Sequence, residues 1–569
     1  MSTWSSKSVA ETVKDISSNV FVLPVIQRRL VWGEEKIELI FDTLLKGNSF
    51  GGIMVLEEEK GKEPLFEYRE FSADGTPIKS KKISHELDKD QYFVIDGQQR
   101  LQSFYIGLMG SYNGKVLYFN LNNNYRDLEF DFKFSIDPKK LPSTKKDDDN
   151  VSTRTIWYPV AKLFSHLKNT NDDRQVSREI ANELEIRDDI EKQYIADNIW
   201  SFYKSIFSNP SIGLCTVIIN RSLDKTSNKQ RIVELFRRLN DGGTRLSAFD
   251  LVASILKGFA WEMESFLDNI IEKYHDIGIS QDEIIKLIFI LQNDHQKQPV
   301  NITVADAEFT IKNKKRIENA LKATENFLQT SNLYGYFKSA NRSTIPLYFI
   351  AYNLFHKKIS DDDILTYYDR FDIANKDYCE CYKWLYESLL NGVFKSRGAG
   401  WIPYTTGVRK ILEVMKVNSG NIFPRKEIYD VYREHPLHFF KTSIKDIELD
   451  YYDASFVYYL IYDKQCVVRL QDEDHIHPQH ILEKKGFEWD DINSIANFQL
   501  IDRNTNRGSK NAKELHNWIK EDVANKTFYL SRHLIPSEEY LWKSDNFLDF
   551  INKRRSMIAA KLKNAIKID

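Results

Sequence analysis

Asp474 and His475 stand side by side in the run QDEDHIHPQH, and Asn497 and Asn506 follow in ANFQLIDRNTNRG. Hydrolysis of a phosphodiester needs a base to take a proton from water and a cation to offset charge on the phosphate and the leaving oxygen. An aspartate and an asparagine offer hard oxygen ligands to Mg²⁺ or Mn²⁺, and an imidazole exchanges protons near neutral pH. Consecutive residues on an extended strand face opposite ways, so Asp474 and His475 need a bend or twist to address one phosphate. A rival use of the segment is a zinc cluster of His475, His477 and His480, whose H-x-H-x₂-H spacing puts two imidazoles on one strand face. No fourth ligand or flanking cysteine accompanies it. His477 and His480 are expected to line the cleft or face solvent, and His516 and His533 to be helix-surface or packing residues.

Three polar clusters interrupt the apolar patterns of the first half: Gln27-Arg28 in VIQRRLVW, the turn Asp96-Gly97-Gln98-Gln99-Arg100, and Arg238-Asn240 with Gly242-Gly243-Thr244 in FRRLNDGGTRLS. A strand entering a glycine turn and then a helix makes a phosphate cradle, because backbone N–H groups and the helix N-terminus favour anions. Arg28 and Arg100 would add charge-assisted bonds, and Asp96 would hold a metal or a water. The spacing alone is a weak signal, since Asp-Gly is a common turn and no G-x-x-x-x-G-K-[ST] motif is present.

The elements that must position these groups follow from periodicity. QYFVID predicts a strand running into the DGQQR turn and a helix, and FVLPVI and GGIMVLE predict strands on either side of the helix GEEKIELIFDTLLKG. In that helix Ile37, Ile40, Phe41, Leu44 and Leu45 recur at helical spacing, with Gly47 as its stop. Residues 57–90 read as a charged hairpin excursion, 115–135 as paired strands, 137–150 as an exposed loop, 176–206 as helical and SIGLCTVIIN as a strand. Ser247 and Asp250 form a capping signal for the helix SAFDLVASILKGFAWEM. From there to about 450 the pattern is helical, and its Tyr, Phe and Leu stripes are expected to be core. SIANFQLID predicts a strand and KNAKELHNWIKEDV a helix, with Asn506 in the turn between them and Pro478 closing the strand of Asp474 and His475, in the order β, β, α.

At 569 residues the chain is too long for one core, and 42% apolar with 28% charged residues describes an ordinary globular protein. A net charge of −2 excludes a polycation that coats nucleic acid through charge alone. Residues 501–569 hold 14 Lys and Arg against 9 Asp and Glu, a local surplus that permits phosphate binding. Cys215, Cys379, Cys381 and Cys466 are too few and scattered for a disulfide framework or a Cys₄ zinc site. With no signal peptide and no apolar run of 18 residues, a cytoplasmic protein that does not enter membranes is expected.

The D-H-I-x-P-Q run from Asp474 to Gln479, Asn497 after the linker and N-R-G at Asn506 to Gly508 resemble the HNH nuclease motif. The version concerned is that of RNA-guided CRISPR nucleases and of the DUF1524 (GmrSD C-terminal) family. That resemblance implies Asp474 and Asn506 as metal ligands, His475 as general base, and Asn497 as the supporting member of the catalytic set. P-x-x-Q-R-x-x-V-W from Pro24 to Trp32, V-I-D-G-Q-Q-R-L, and R-L-N-x-G-G-T-x-L-S resemble the DUF262 family, a GmrS-type domain related to ParB and sulfiredoxin folds. This second resemblance implies a site for binding and hydrolysis of a nucleoside triphosphate (NTP), formed by Gln27, Arg28, Asp96, Gly97, Gln98, Gln99, Arg100, Arg238, Asn240 and Thr244, with Asp96 also catalytic.

The expected fold is α+β and multidomain. Residues 1–256 are read as a ParB/sulfiredoxin-like nucleotide-binding domain, 257–450 as a helical middle region, and 451–569 as a ββα-metal (HNH) nuclease in a mostly helical surround. Together the resemblances imply a nucleotide-regulated, Mg²⁺- or Mn²⁺-dependent DNA endonuclease of antiphage defence, similar to GmrSD-like type IV restriction enzymes. Modified phage DNA is its expected substrate, with a homo-oligomer or defence-system proteins as partners. The alternative is a nucleotide-switched DNA-binding or interaction protein, or a nickase subunit guided by partners.

Overall fold

Strand QYFVID buries Phe93, Val94 and Ile95 and surfaces at Asp96, so the chain leaves the core where its polar turn begins. The computed structural model containing this strand describes residues 2–566 apart from 28–29, 49–50, 77, 79–85, 124–128, 147–151, 221, 243–246, 261, 298–300, 339–341, 397–400, 435–440, 442 and 464–470. The chain forms two units, Met1–Phe266 with Pro299–Ile311, and Leu267–Gln298 with Lys312–Asp569.

In the first unit the elements include β1 (Ser2–Lys7), α1 (Val9–Ser17), β2 (Phe21–Pro24), α2 (Glu34–Leu45), β3 (Ile53–Glu58), β4 (Tyr68–Arg69), β5 (Gln91–Asp96) and α3 (Gln98–Met109). There follow β6 (Val116–Asn120), β7 (Phe132–Ser135), β8 (Trp157–Pro159), β9 (Ile212–Ile218), α4 (Lys225–Gly242) and α5 (Ala248–Phe259). A six-stranded mixed sheet has the order β1-β9-β3-β5-β2-β4. Strand β9 lies antiparallel to β1 and parallel to β3, and β5 runs antiparallel to β3 and parallel to β2. The paired strands expected in 115–135 are β6 and β7, joined by β8 in a three-stranded antiparallel sheet. Within the stretch read as a loop at 137–150, Thr144–Lys146 pairs instead with Ser152–Arg154.

The five residues picked out by spacing in α2 are its buried face. Phe41 from that face meets Phe104 of α3 edge-on at 5.8 Å and Phe132 of β7 at 5.4 Å. The close approach needs Gly107, whose Cβ would fall 2.5 Å from the Phe41 ring. At the N-terminal end of α5 the Ser247 side chain accepts from the Asp250 N–H.

The second unit is built largely of helices, including α6 (Ile345–Phe355), α7 (Lys376–Leu390) and α8 (Arg425–Arg433). Tyr348, Tyr352, Tyr368, Tyr378, Trp384 and Tyr386 are fully buried, so the aromatic stripes form core as expected. Their polar tips are paired: Trp384 donates to the Tyr432 hydroxyl at 3.0 Å, and Tyr386 to the Ser331 carbonyl at 2.6 Å.

Near the C-terminal end, β10 (Gln471–His475) pairs antiparallel with β11 (Phe498–Asp502). The chain turns directly into α9, a helical segment Arg503–Thr505 that widens into the π-helical stretch Asn506–Lys510. Then come α10 (Leu515–Glu521), α11 (Lys526–His533) and α12 (Phe547–Ile566). The order β, β, α holds, but Asn506 lies within helix rather than in a turn. Asp502 is the reason, because its side chain accepts from the N–H groups of Asn504 and Thr505 and starts a helix there. From α12 the buried guanidinium of Arg554 donates to the carbonyls of Ile495, Ala496, His533 and Leu534, fixing the segment that enters β11.

Candidate functional site

On β10, Asp474 stands opposite Gln499 and His475 opposite Phe498. The Gln499 amide donates to Asp474 Oδ2 at 2.9 Å, and the buried Lys510 ammonium lies 2.6 Å from the same oxygen. Lys510 also donates to the His475 carbonyl at 2.8 Å, so one side chain from α9 holds both neighbours. Burial pulls the Lys510 ammonium down from its usual range, and the Asp474 carboxylate opposes that shift. Gln499 is itself held by the Tyr529 hydroxyl, which donates to its Oε1 at 2.8 Å.

The His475 ring packs on Phe498 with centroids 4.3 Å apart, and its Nε2 donates to Asn493 Oδ1 at 3.2 Å. With the proton on Nε2, Nδ1 carries the free lone pair. Separate partners, Lys510 with Gln499 and Asn493 with Phe498, orient the two side chains.

Arg503 and Arg507 both reach Asp472, at 3.1 and 3.3 Å, and Lys510 reaches Asp474, two residues further along the same face of β10. Asn506 sits four residues before Lys510, at the start of the π-helical stretch Asn506–Lys510. Its side-chain amide makes no hydrogen bond among the described residues, and hydrogen bonds to Asp474 use Oδ2. Asp474 Oδ1 and the Asn506 amide oxygen are therefore uncommitted among the described residues, while the Asp474 charge is paired with Lys510. Among the described residues no group of three or more His, Cys, Asp and Glu side chains forms a metal cage.

Asn497 is fully buried and bonds only to backbone. Its Oδ1 accepts from the His477 N–H at 3.0 Å, and its amide donates to the carbonyls of His477 at 3.2 Å and Ile492 at 2.9 Å. His477 departs from expectation, for it neither lines a cleft nor meets solvent. Its ring packs edge-on against Phe547 and Phe550, and burial depresses its pKa to about 3. His480 is exposed, so the three histidines of the zinc alternative do not converge. His533 is a packing residue bonded to Tyr462 at 2.9 Å, and His516 is partly exposed on α10.

In the first unit the DGQQR turn sits where β5 passes into α3. Gly97 has φ +89° and a Cβ there would come 2.3 Å from Ile53 Cδ1, so both backbone and space require glycine. Asp96 is exposed and 3.4 Å from Arg100. Gln27 is buried, its amide donating to the carbonyls of Val94 and Ile95. Gln99 accepts from the N–H groups of Val31 and Trp32 at 2.9 and 3.3 Å. Gln98 is buried at the start of α3. Gln27 thus ties into β5 and Gln99 holds Val31 and Trp32 to the turn, leaving Asp96 exposed with the largely buried Arg100 beside it. Arg238 is exposed on α4 and paired with Glu234 at 2.7 Å. Arg28, Thr244 and the Asn240 side chain lie outside the described residues.

Spacing did not single out Lys510, Gln499, Asn493 or Tyr529. The available signals were that Lys510 follows Asn506 by one helical turn and that Gln499 interrupts an otherwise apolar strand. Residues 9–257 match the family model of the N-terminal domain of the GmrSD restriction endonuclease. The chain is also 24% identical over 617 aligned positions to an uncharacterized protein of Methanocaldococcus jannaschii, with 98% of each chain covered.

Proposed function

We propose that the chain is a nucleotide-regulated, metal-dependent DNA endonuclease that cuts modified foreign DNA, with its nuclease centre at Asp474, His475 and Asn506. The observation that carries this reading is the joint fixing of Asp474 and His475 by Lys510 beneath the helix that bears Asn506. The match of residues 9–257 to a restriction-endonuclease domain supports DNA as the substrate.

His475 Nδ1 takes the proton of the attacking water, while Asn493 keeps the opposite nitrogen protonated and the ring at a fixed angle. Phe498 covers one face of the imidazole. Asp474 and Asn506 would hold Mg²⁺ or Mn²⁺, which when bound supplies Lewis-acid stabilisation of charge on the scissile phosphate. Asn497 reacts with nothing in this scheme, since its amide is spent on the loop backbone. In the first unit, Asp96 and Arg100 at the N-terminus of α3 are the proposed nucleotide-facing groups, and nucleotide state there is proposed to control cleavage.

Plasmid DNA and matched plain and modified phage DNA, incubated with Mg²⁺ or Mn²⁺ and each NTP, test the proposal. Cleavage by the native chain is expected and its loss in His475→Ala. Equal survival of DNA with both proteins under every condition removes the nuclease assignment. NTP hydrolysis that persists in the Asp96→Ala, Arg100→Ala double variant removes the nucleotide site.

A further inference from the structure

A cleft of about 1080 Å³ opens in the second unit between the segment after α6, the start of α7 and the start of α8. Lys357 and Arg425 form part of its lining and are both neutralised. Lys357 is buried 2.9 Å from Asp377, and Arg425 is clamped by Glu387 through bonds of 3.0 and 3.2 Å. Arg425 also lies over the Tyr429 ring at 5.0 Å, so these cations are fixed parts of the wall.

Lys358, Lys376 and Lys426 also line the cleft, and they differ. All three are exposed and make no ion pair among the described residues. They come from three separate segments, so their convergence on one cleft is a product of the fold. A second cavity, of about 570 Å³, offers no such set, because its Lys286 and Lys338 are paired with Glu283 and Asp276.

We propose that this cleft binds the phosphodiester backbone of the DNA substrate, with Lys358, Lys376 and Lys426 each meeting a phosphate. Small-molecule sites run to about 1,000 Å³ and enclose their ligand, whereas this cleft is at that limit and carries three exposed lysines, against the one exposed carboxylate of Glu427, at the surface. Exposed lysines are point charges suited to successive phosphates of a polyanion, and they fix register without reading sequence. The inference rests on the proposed action on DNA and gives the helical region the work of holding substrate.

Binding of a labelled DNA duplex by the full chain in EDTA, measured over a range of salt concentrations, is the test. Each phosphate contact adds about 0.9 to the magnitude of the slope of log K against log salt. The Lys358→Gln, Lys376→Gln, Lys426→Gln triple variant should therefore bind more weakly, with a slope shallower by about 2.7. An unchanged thermal transition would show that the variant is folded. Unchanged affinity and slope in the folded variant overturn the cleft while leaving the nuclease reading intact. Absence of DNA binding by the native chain at any salt overturns the DNA-acting reading itself. Displacement of DNA by stoichiometric ATP that the triple variant abolishes assigns the cleft to a mononucleotide and also overturns the proposal.

Discussion

Replacing Asn497 by alanine should loosen the proposed nuclease centre without removing any proposed reacting group. The side chain is fully buried, and its three hydrogen bonds go to the N–H and carbonyl of His477 and to the carbonyl of Ile492. A buried hydrogen bond is worth roughly 1 kcal/mol net, so three put the loss near 3 kcal/mol. In a chain with two units a single unfolding midpoint is not well defined, so the change should be read locally. Amide hydrogen exchange over residues 471–502 should accelerate by roughly 150-fold, the factor that 3 kcal/mol corresponds to at 1.4 kcal/mol per decade. Peptides from the first unit should be unaffected. Asn497→Asp keeps the acceptor for the His477 N–H but turns an oxygen toward two carbonyls, so it should loosen the loop at least as much. Exchange within twofold of the native chain, accompanied by loss of cleavage, would refute the supporting role and return Asn497 to the chemistry.

Two further outcomes follow from buried titratable groups. His477 has a folded pKa of about 3, below its ordinary 6.5, so its stabilising effect is full above 6.5 and is lost as pH falls from there toward 3. His477→Phe should remove about one proton's worth of acid sensitivity, roughly 1.4 kcal/mol per pH unit, from unfolding measured between pH 6 and 4. Burial raises Glu58 to about 7, so its native state prefers a proton and the unit loses stability as pH rises from 4.5 to 7. Glu58→Gln retains the acceptor for the Leu65 N–H, and amide exchange across the first unit at pH 8 should be slower than in the native chain.

Local patterns were legible in the sequence where one face is buried and the breaks carry turn chemistry. The α2 stripe and the passage from β5 through Gly97 to α3 were visible for that reason. Strand β1 was not, since STWSSK lacks apolar alternation and its Trp4 is 70% exposed; its place comes from backbone pairing with β9. At the proposed nuclease centre, N-T-N-R-G reads as a turn, and the cap supplied by Asp502 helps make it helical. His477 was misjudged because residue type suggests polarity, while its surroundings, Phe547 and Phe550, arrive from α12. Lys510 and Gln499 were missed because their importance lies in reaching Asp474 across elements, which no linear spacing announces.

The strand order also has a consequence for how the chain is made. Strand β9 begins at Ile212 yet lies between β1 and β3, so the first sheet stays divided until more than two hundred residues have left the ribosome. During that interval the edge of β3 that will receive β9 offers unpaired backbone groups to any passing strand. Sequence-distant pairing of this kind is slow to form, so nascent chains stalled before β9 emerges are the ones most exposed to misassembly.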